Sequence, residues 1–542
     1  MTTNKHDVIA FFTAHNYFRL KTPEKRQERF NELKTGFLGS EGYPLDDDFF
    51  ALLEKYKARK EFDKIEKSKN RIKKLESLPV AAGFENAYAH VVRLAPGKYV
   101  LTSSQNNTHV DQNMLESLLR YCEHNNARLL IGRLTYNQTG FCQPDLNNEG
   151  VWYDNAVKPY LVSGQLDLGG FCHFLADANV IPTAKIPISG GFESSTPPGI
   201  HAIIPATKLA MKMCPVLKDE SEKMVISTGT VTLRNYIMRK AGALASNDHN
   251  ISAIFVDTEK GEIRQLEQMP GFIGFYDKLS RYTPDGVQTD LENSVAAFQP
   301  GDIHAEKMEP ENLARLCELL EYYKPEHLLI HDLQDFSSRN HHSIKRCEFI
   351  HLQHVNKVTI KQEIKTVSDV VTQLAKYAPN VHIVESNHDL AIMTYLSQSD
   401  FKNDPVNACV YLECMLALYK HQEKTGNDDF NMLEYVYHKY GGRKRAKNLT
   451  FHKIDDSLII AGTQMACHGH LGISGARGNP NSYRQLGYPV NVGHGHTSCI
   501  YGRVYAAGVA AGKQLGYNKG LSTWSLSHIL TYVNGQRQII FN

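Results

Sequence analysis

The sequence predicts an α/β protein in three parts, and three observations predict it. Short apolar, strand-like runs alternate with helical stretches from about residue 96 onward. A charged segment without strand-like runs precedes them. Histidines crowd the final part: of 25 in the chain, 17 lie between His304 and His528, several of them in glycine-containing loops. The expected parts are a helical, basic N-terminal segment over 1–95, an α/β domain of unassigned role over 96–290, and a domain over 291–542 where short strands run into polar loops. At 542 residues and 42% hydrophobic content, two or three domains can each bury a core.

In the first part, Ala51 to Leu78 contains neither Gly nor Pro, and Pro79 ends the helical stretch. Within it, Lys55 to Lys74 carries ten basic residues against three acidic ones. That pattern fits a solvated helical face or a contact to a phosphate backbone. In the second part, Tyr99–Thr102 and Arg128–Ile131 read as strands, Ser103–Thr108 as a polar loop and Asn113–His124 as a helix. Ser227–Thr232 has the composition of a phosphate cradle but lacks the lysine and spacing of a P-loop. In the third part, Leu328–Ile330, Val381–Val384, Leu458–Ala461 and the segment before Gly493 read as strands. Most of them run into Asp, Asn or His, and ligand sites of α/β sheets collect at the carboxyl ends of strands.

Composition excludes several classes. No run of about 18 apolar residues is present, so no membrane span is expected. The first residues lack a signal-peptide pattern, and none of the ten cysteines forms a CxxC pair, so a cytoplasmic protein with reduced thiols and no zinc knuckle is expected. Sixty Lys and Arg against 58 Asp and Glu leave a net charge of +2, which neither favours nor excludes nucleic acid.

Five clusters carry the chemistry: Gly301-Asp302-Ile303-His304, His331-Asp332-Leu333-Gln334-Asp335, Ser386-Asn387-His388-Asp389, Cys467-His468-Gly469-His470 and Gly493-His494-Gly495-His496. Each alone is commonplace, since a lone His is more often structural than a ligand. Together and in this order they point to a pair of divalent ions. Two such ions about 3.5–4 Å apart repel, so a carboxylate must sit between them. Asp, Asn and His together suit Mn, Fe or Zn better than oxygen-seeking Mg or Ca.

These clusters resemble the blocks of the calcineurin-like metallophosphoesterases: Asp-x-His, Gly-Asp-x-x-Asp, Gly-Asn-His-Asp or Glu, an isolated His, and Gly-His-x-His. The resemblance implies a β-sandwich flanked by helices, with the blocks on loops at one edge. It implies that Asp302, His304 and His496 bind one metal, that Asn387, His468 and His494 bind the other, and that Asp332 bridges them. It further implies that His388 is a non-ligand acid and that Asp389 fixes its orientation. His331 and Ser386 stand where the family usually has Gly, and the fourth block leaves a choice between His468 and His470, with His468 preferred. Thr102–Thr108, Gly472–Gly478 and Gly516–Gly520 are similar to signatures of a phage and prophage branch of the family. Its implied site of action, for a phage-encoded chain, is the host cytoplasm.

The resemblance implies a phosphoesterase that activates a bridging hydroxide on two divalent ions, with Mn²⁺ expected first and Mg, Fe or Zn as alternatives. Arg477, in a glycine-rich loop, fits a fork to a substrate phosphate or a structural role equally. His341 and His342 follow the second block and are candidates to line the cleft. Tyr437–Lys447 interleaves aromatics with Arg443, Lys444, Arg445 and Lys447, a combination that suits backbone tracking and base stacking, although a solvated loop has the same composition. The leading expectation is a DNase with little sequence preference, of the kind that degrades host DNA, with DNA as partner and a homo-oligomer as its state. The alternatives are a phosphomonoesterase or nucleotidase on small substrates, and a non-catalytic DNA-binding or assembly protein with structural metals.

Overall fold

The computed structural model describes residues 91–136, 151–340 and 358–542 except 219, 238 and 517, together with 347 and, near the N-terminus, 12, 17, 20, 22–36, 50–55 and 57. The chain forms two compact units, Met1–Ala89 and His90–Asn542. In the first, the helix Pro23–Gly36 contributes Phe30 and Leu33 to a small core with Phe12, Tyr17 and Leu53. Arg26 pairs with Glu54 at 2.6 Å. Residues 50–55 are helical, at the start of the expected basic helix; most of the Lys55–Lys74 run lies outside the described residues, as do His341 and His342.

The second unit is a mixed α/β structure of several sheets flanked by helices. The sheet that carries most of the polar clusters has six strands, in the order Leu449–His452, Asn380–Val384, His327–His331, Val295–Gln299, Ser527–Tyr532 and Arg537–Phe541. The first four run parallel. Parallel neighbours need crossover connections, and helices supply them here. Pro310–Tyr323 starts on a proline that lacks a donor where none is needed. Ile360–Leu374 starts on a reciprocal Thr359–Gln362 capping box. Side chains alternate across the sheet, so Phe298, Leu328, Ile330, Val381 and Ile383 pack on Leu316, Leu320, Val367 and Val371 of those helices. On the other face Leu329 meets Ala297, Ile460 and Met465.

An eleven-stranded sheet takes strands from both sides of residue 290, pairing Leu209–Met213 with Cys499–Tyr501. The segments 96–290 and 291–542 therefore share a sheet. Gln299 of the six-stranded sheet donates to the Val492 carbonyl of the eleven-stranded one at 3.1 Å. Ile529 and Ile539 of the former pack in one cluster with Ile500 and Tyr505 of the latter.

Two local expectations need correction. The strand expected over Tyr99–Thr102 extends over Lys98–Gln105, through what reads as a polar loop. Ser103 is buried there because its hydroxyl donates to the carbonyl of Gly229 at 2.7 Å. Ser227–Thr232 is not a cradle: Ser227 and Thr230 are buried, with their hydroxyls bonded to the carbonyls of Lys208 and Ser103. Among the described residues, no helix is long and apolar enough to cross a membrane.

Candidate metal centre

Three of the clusters lie at the carboxyl ends of the parallel strands of the six-stranded sheet, and the other two follow Thr463–Gln464 and Val490–Val492 of the eleven-stranded sheet. Asp302 follows Val295–Gln299, Asp332 follows His327–His331, and His388 follows Asn380–Val384. The backbone places Asp302 from both sides: its N–H donates to the Gly508 carbonyl at 3.0 Å, and its carbonyl accepts from Ala510 at 2.9 Å. His304, Asp332, His494 and His496 all adopt positive φ, between 42° and 69°. That conformation is strained for non-glycine residues and persists where surrounding contacts over-determine it.

Three groups of donor atoms lie close enough to hold an ion. Asp302, His304, Asp332 and His496 form the first, Asp332, His468 and His494 the second, and His304, Asp335 and His388 the third. Asp332 belongs to the first two. Its Oδ1 lies 3.3 Å from His468 Nε2, and its Oδ2 lies 3.6 Å from His304 Nε2 and 3.8 Å from His496 Nε2. Asp302 Oδ2 lies 3.2 Å from His496 Nε2 and accepts from the His494 N–H at 2.7 Å. The glycine before His494 permits this approach, since a Cβ at Gly493 would stand 2.3 Å from Asp302 Oδ1.

The chemistry of this donor set fits divalent cations. Asp302 Oδ1, both Asp332 carboxylate oxygens and both ring nitrogens of His468 are buried without a hydrogen-bond partner, an arrangement that costs free energy unless something charged is held there. Burial and Asp332 oppose ionisation of Asp302, yet His496 and His468 hold it below the usual carboxylate range. Burial opposes ionisation of Asp332 as well, and His468 and His388 hold it well below. The same pairings overcome burial to raise His496 and His388, each to about 9. The carboxylates thus demand positive charge, and two divalent ions satisfy that demand. The site is a buried Asp and His cluster capable of coordinating two metal ions.

Asp335 is the residue that the sequence reading missed. Its Oδ1 lies 2.9 Å from His388 Nδ1 and 3.0 Å from His304 Nδ1, and its Oδ2 meets Lys307 Nζ at 2.5 Å. The contact expected of Asp389 on His388 is therefore made by Asp335. Asp389 turns instead to the loop backbone, accepting from the N–H of Gln334 at 3.0 Å and from the Ser386 hydroxyl at 2.9 Å. Burial and the nearby Asp332 push Asp389 up to about 7. The available signal for Asp335 was its place three residues after Asp332 in the second block.

The remaining candidates divide. His468 is fully within the cluster, and the His470 ring stands 5.3 Å from it. His331 is buried beside His468, with rings 5.6 Å apart, and burial holds it near 3, hence neutral. Asn387 is exposed on the loop that bears His388. Arg477 is exposed on the loop that follows His470. Arg443, Lys444 and Arg445 immediately precede Leu449–His452, at the amino end of a strand whose parallel partners carry the metal donors at their carboxyl ends. The basic run and the cluster thus occupy opposite ends of the sheet.

A curated relative, Protein A1 of Escherichia phage T5, is 38% identical over 483 residues, covering 86% of this chain and 86% of the relative. The chain belongs to the Protein A1 family. No protein-family model and no solved structure matches it. Membership of the Protein A1 family links this chain to a phage protein.

Proposed function

We propose that the chain is a calcineurin-like metallophosphoesterase that acts as a phosphodiesterase on DNA. The observation that carries this reading is the sharing of Asp332 between two donor groups, with His388 held beside them by Asp335. The order of the five blocks and the packing of the six-stranded sheet against the eleven-stranded one support the sandwich assignment.

In this reading Asp302, His304 and His496 would hold one ion and His468 and His494 the other, with Asp332 contributing to both; Asn387, exposed beside His388, is the further candidate for the second. When bound, the ions would supply Lewis-acid charge to the scissile phosphate and lower the pKa of a water. His388, its Nδ1 fixed by Asp335, presents Nε2 to the leaving oxygen and donates the proton that oxygen needs. Asp335 positions His304 and His388 together, and Lys307 balances its charge. Asp389 ties the His388 loop to the Asp332 loop. Arg443, Lys444 and Arg445 serve backbone contacts remote from the reacting phosphate, and the exposed Arg477 serves a further phosphate of the strand.

The test is incubation with bis(p-nitrophenyl) phosphate, p-nitrophenyl phosphate and supercoiled plasmid, each with Mn²⁺, Mg²⁺ or EDTA. Cleavage of plasmid and diester, abolished by EDTA and falling steeply with salt on plasmid, is the expected result. Turnover of the monoester alone would replace this reading with a phosphomonoesterase.

A further inference from the structure

We propose that the cleft beside His468 is a nucleoside pocket, and that the strand enters the site with one base unstacked into it. This inference rests on the phosphodiesterase reading. The cleft has a volume of about 630 Å³, and its lining includes His468 and His470. Behind that lining the buried His468 side chain reaches Asp332, 3.3 Å away. A pocket of this size accommodates a small organic ligand, for which about 300–1,000 Å³ is usual.

The lining selects the ligand. It contains no Lys or Arg and one carboxylate, Asp455, so the pocket itself does not hold a phosphate; Arg477 is not among its lining residues. Its walls include Leu471, Ile473 and Leu486, which are 40%, 57% and 43% exposed. Ser474 and Gln485 add hydrogen-bonding groups. A nucleobase has the matching chemistry, with apolar faces and polar edges. Apolar side chains grouped at the mouth of a polar, charge-rich site are otherwise hard to account for. The walls are also preformed: the Tyr483 hydroxyl donates to the Leu471 carbonyl, and the Gly478 N–H donates to the His470 carbonyl at 2.8 Å. The cleft therefore does not have to be assembled by the ligand.

A nucleoside can arrive as a free nucleotide or as part of a strand. In a duplex, delivery of the base requires unpairing, so a single-stranded oligonucleotide should be cleaved at least about tenfold faster than its duplex. The binding test uses the full chain in EDTA with thymidine and adenosine, followed by saturation-transfer NMR and calorimetry. Both nucleosides should bind, and Ile473→Trp, which fills the cleft, should weaken each by about tenfold or more. Leu486→Asp is the second variant, and circular dichroism reports the fold of both. Absence of nucleoside binding, or unchanged affinity in folded forms of both variants, overturns the pocket. If bis(p-nitrophenyl) phosphate is hydrolysed with Mn²⁺ while nucleosides do not bind, the pocket fails and the phosphodiesterase reading stands. If nucleosides bind and no diester is hydrolysed, the phosphodiesterase reading fails and the pocket stands. Equal cleavage of single strand and duplex overturns the unstacking step and assigns the pocket to free nucleotides.

Discussion

Replacement of Asp332 by Asn should abolish stabilisation of the fold by divalent metal. Asp332 is the donor shared by the Asp302–His304–His496 group and the His468–His494 group. An ion at 100 times its Kd contributes about 2.7 kcal/mol to stability, so two ions contribute about 5 kcal/mol. The unit His90–Asn542 has an unfolding entropy of about 1 kcal/mol/K, taking about 2.1 cal/mol/K per residue, so Mn²⁺ should raise Tm by about 5 °C. Differential scanning fluorimetry with and without EDTA reads this directly. Asp332→Asn should reduce the shift to less than about 1 °C, because neither ion keeps its screening carboxylate. Asp302→Asn, which touches one group only, should keep about half of it. A Mn²⁺ shift in Asp332→Asn equal to that of the unmodified chain would refute the shared-carboxylate argument. A half-sized shift would show that Asp332 serves a single ion.

Three further outcomes are expected. His388→Ala should retain the Mn²⁺ shift in Tm but lose about 10²–10⁴ in kcat on bis(p-nitrophenyl) phosphate, as removal of a positioned proton donor does; full activity would eliminate His388 as the acid. Gly493→Ala should weaken Mn²⁺ binding at least about tenfold by calorimetry, because the new Cβ would meet the Asp302 carboxylate. The third concerns acid. Burial lowers His201, His249 and His528 to about 4, and His201 Nδ1 and His528 Nδ1 each accept a backbone N–H, from Met224 and Gly301. The unfolded chain therefore takes up these protons first as pH falls. The part of the stability that these three histidines contribute should be complete above about pH 6.5 and decline toward pH 4, by up to about 3 kcal/mol per histidine. Urea midpoints at pH 7, 5 and 4 should follow that decline, with a shallower slope in His528→Gln; an unchanged slope would remove His528 from the account.

Much of the metal centre was legible because its donors come in short blocks directly after apolar runs, and a strand end fixes where its loop begins. Asp302, Asp332, His468 and His496 were readable in that way. The partner of His388 was not. The family resemblance implied Asp389, but the turn points that carboxylate back at Ser386 and Gln334, and the contact falls to Asp335 on another loop. Charge composition likewise made Arg443, Lys444 and Arg445 conspicuous without indicating which end of the sheet they occupy. Strand pairing was least legible, because the partners of Leu209–Met213 and Cys499–Tyr501 are almost three hundred positions apart and only packing selects such pairs. The buried serine at 103 was hidden for a related reason: its hydroxyl is satisfied by a distant carbonyl, which hydropathy does not register.

The last strands determine when the first donor is seated. Asp302 is bracketed by Gly508 and Ala510, Gly508 and Val509 are bonded to Ser527 and Ser525, the Ser525 N–H donates to the His496 carbonyl, and His528 accepts the Gly301 N–H. A chain lacking Ser525–Ser527 keeps Gly508 and Ala510 but loses the strand whose carbonyls hold Gly508 and Val509 in place beside Asp302. The first donor of the cluster is thus held by backbone more than 200 positions further along the chain, so the cluster closes only once both stretches have paired.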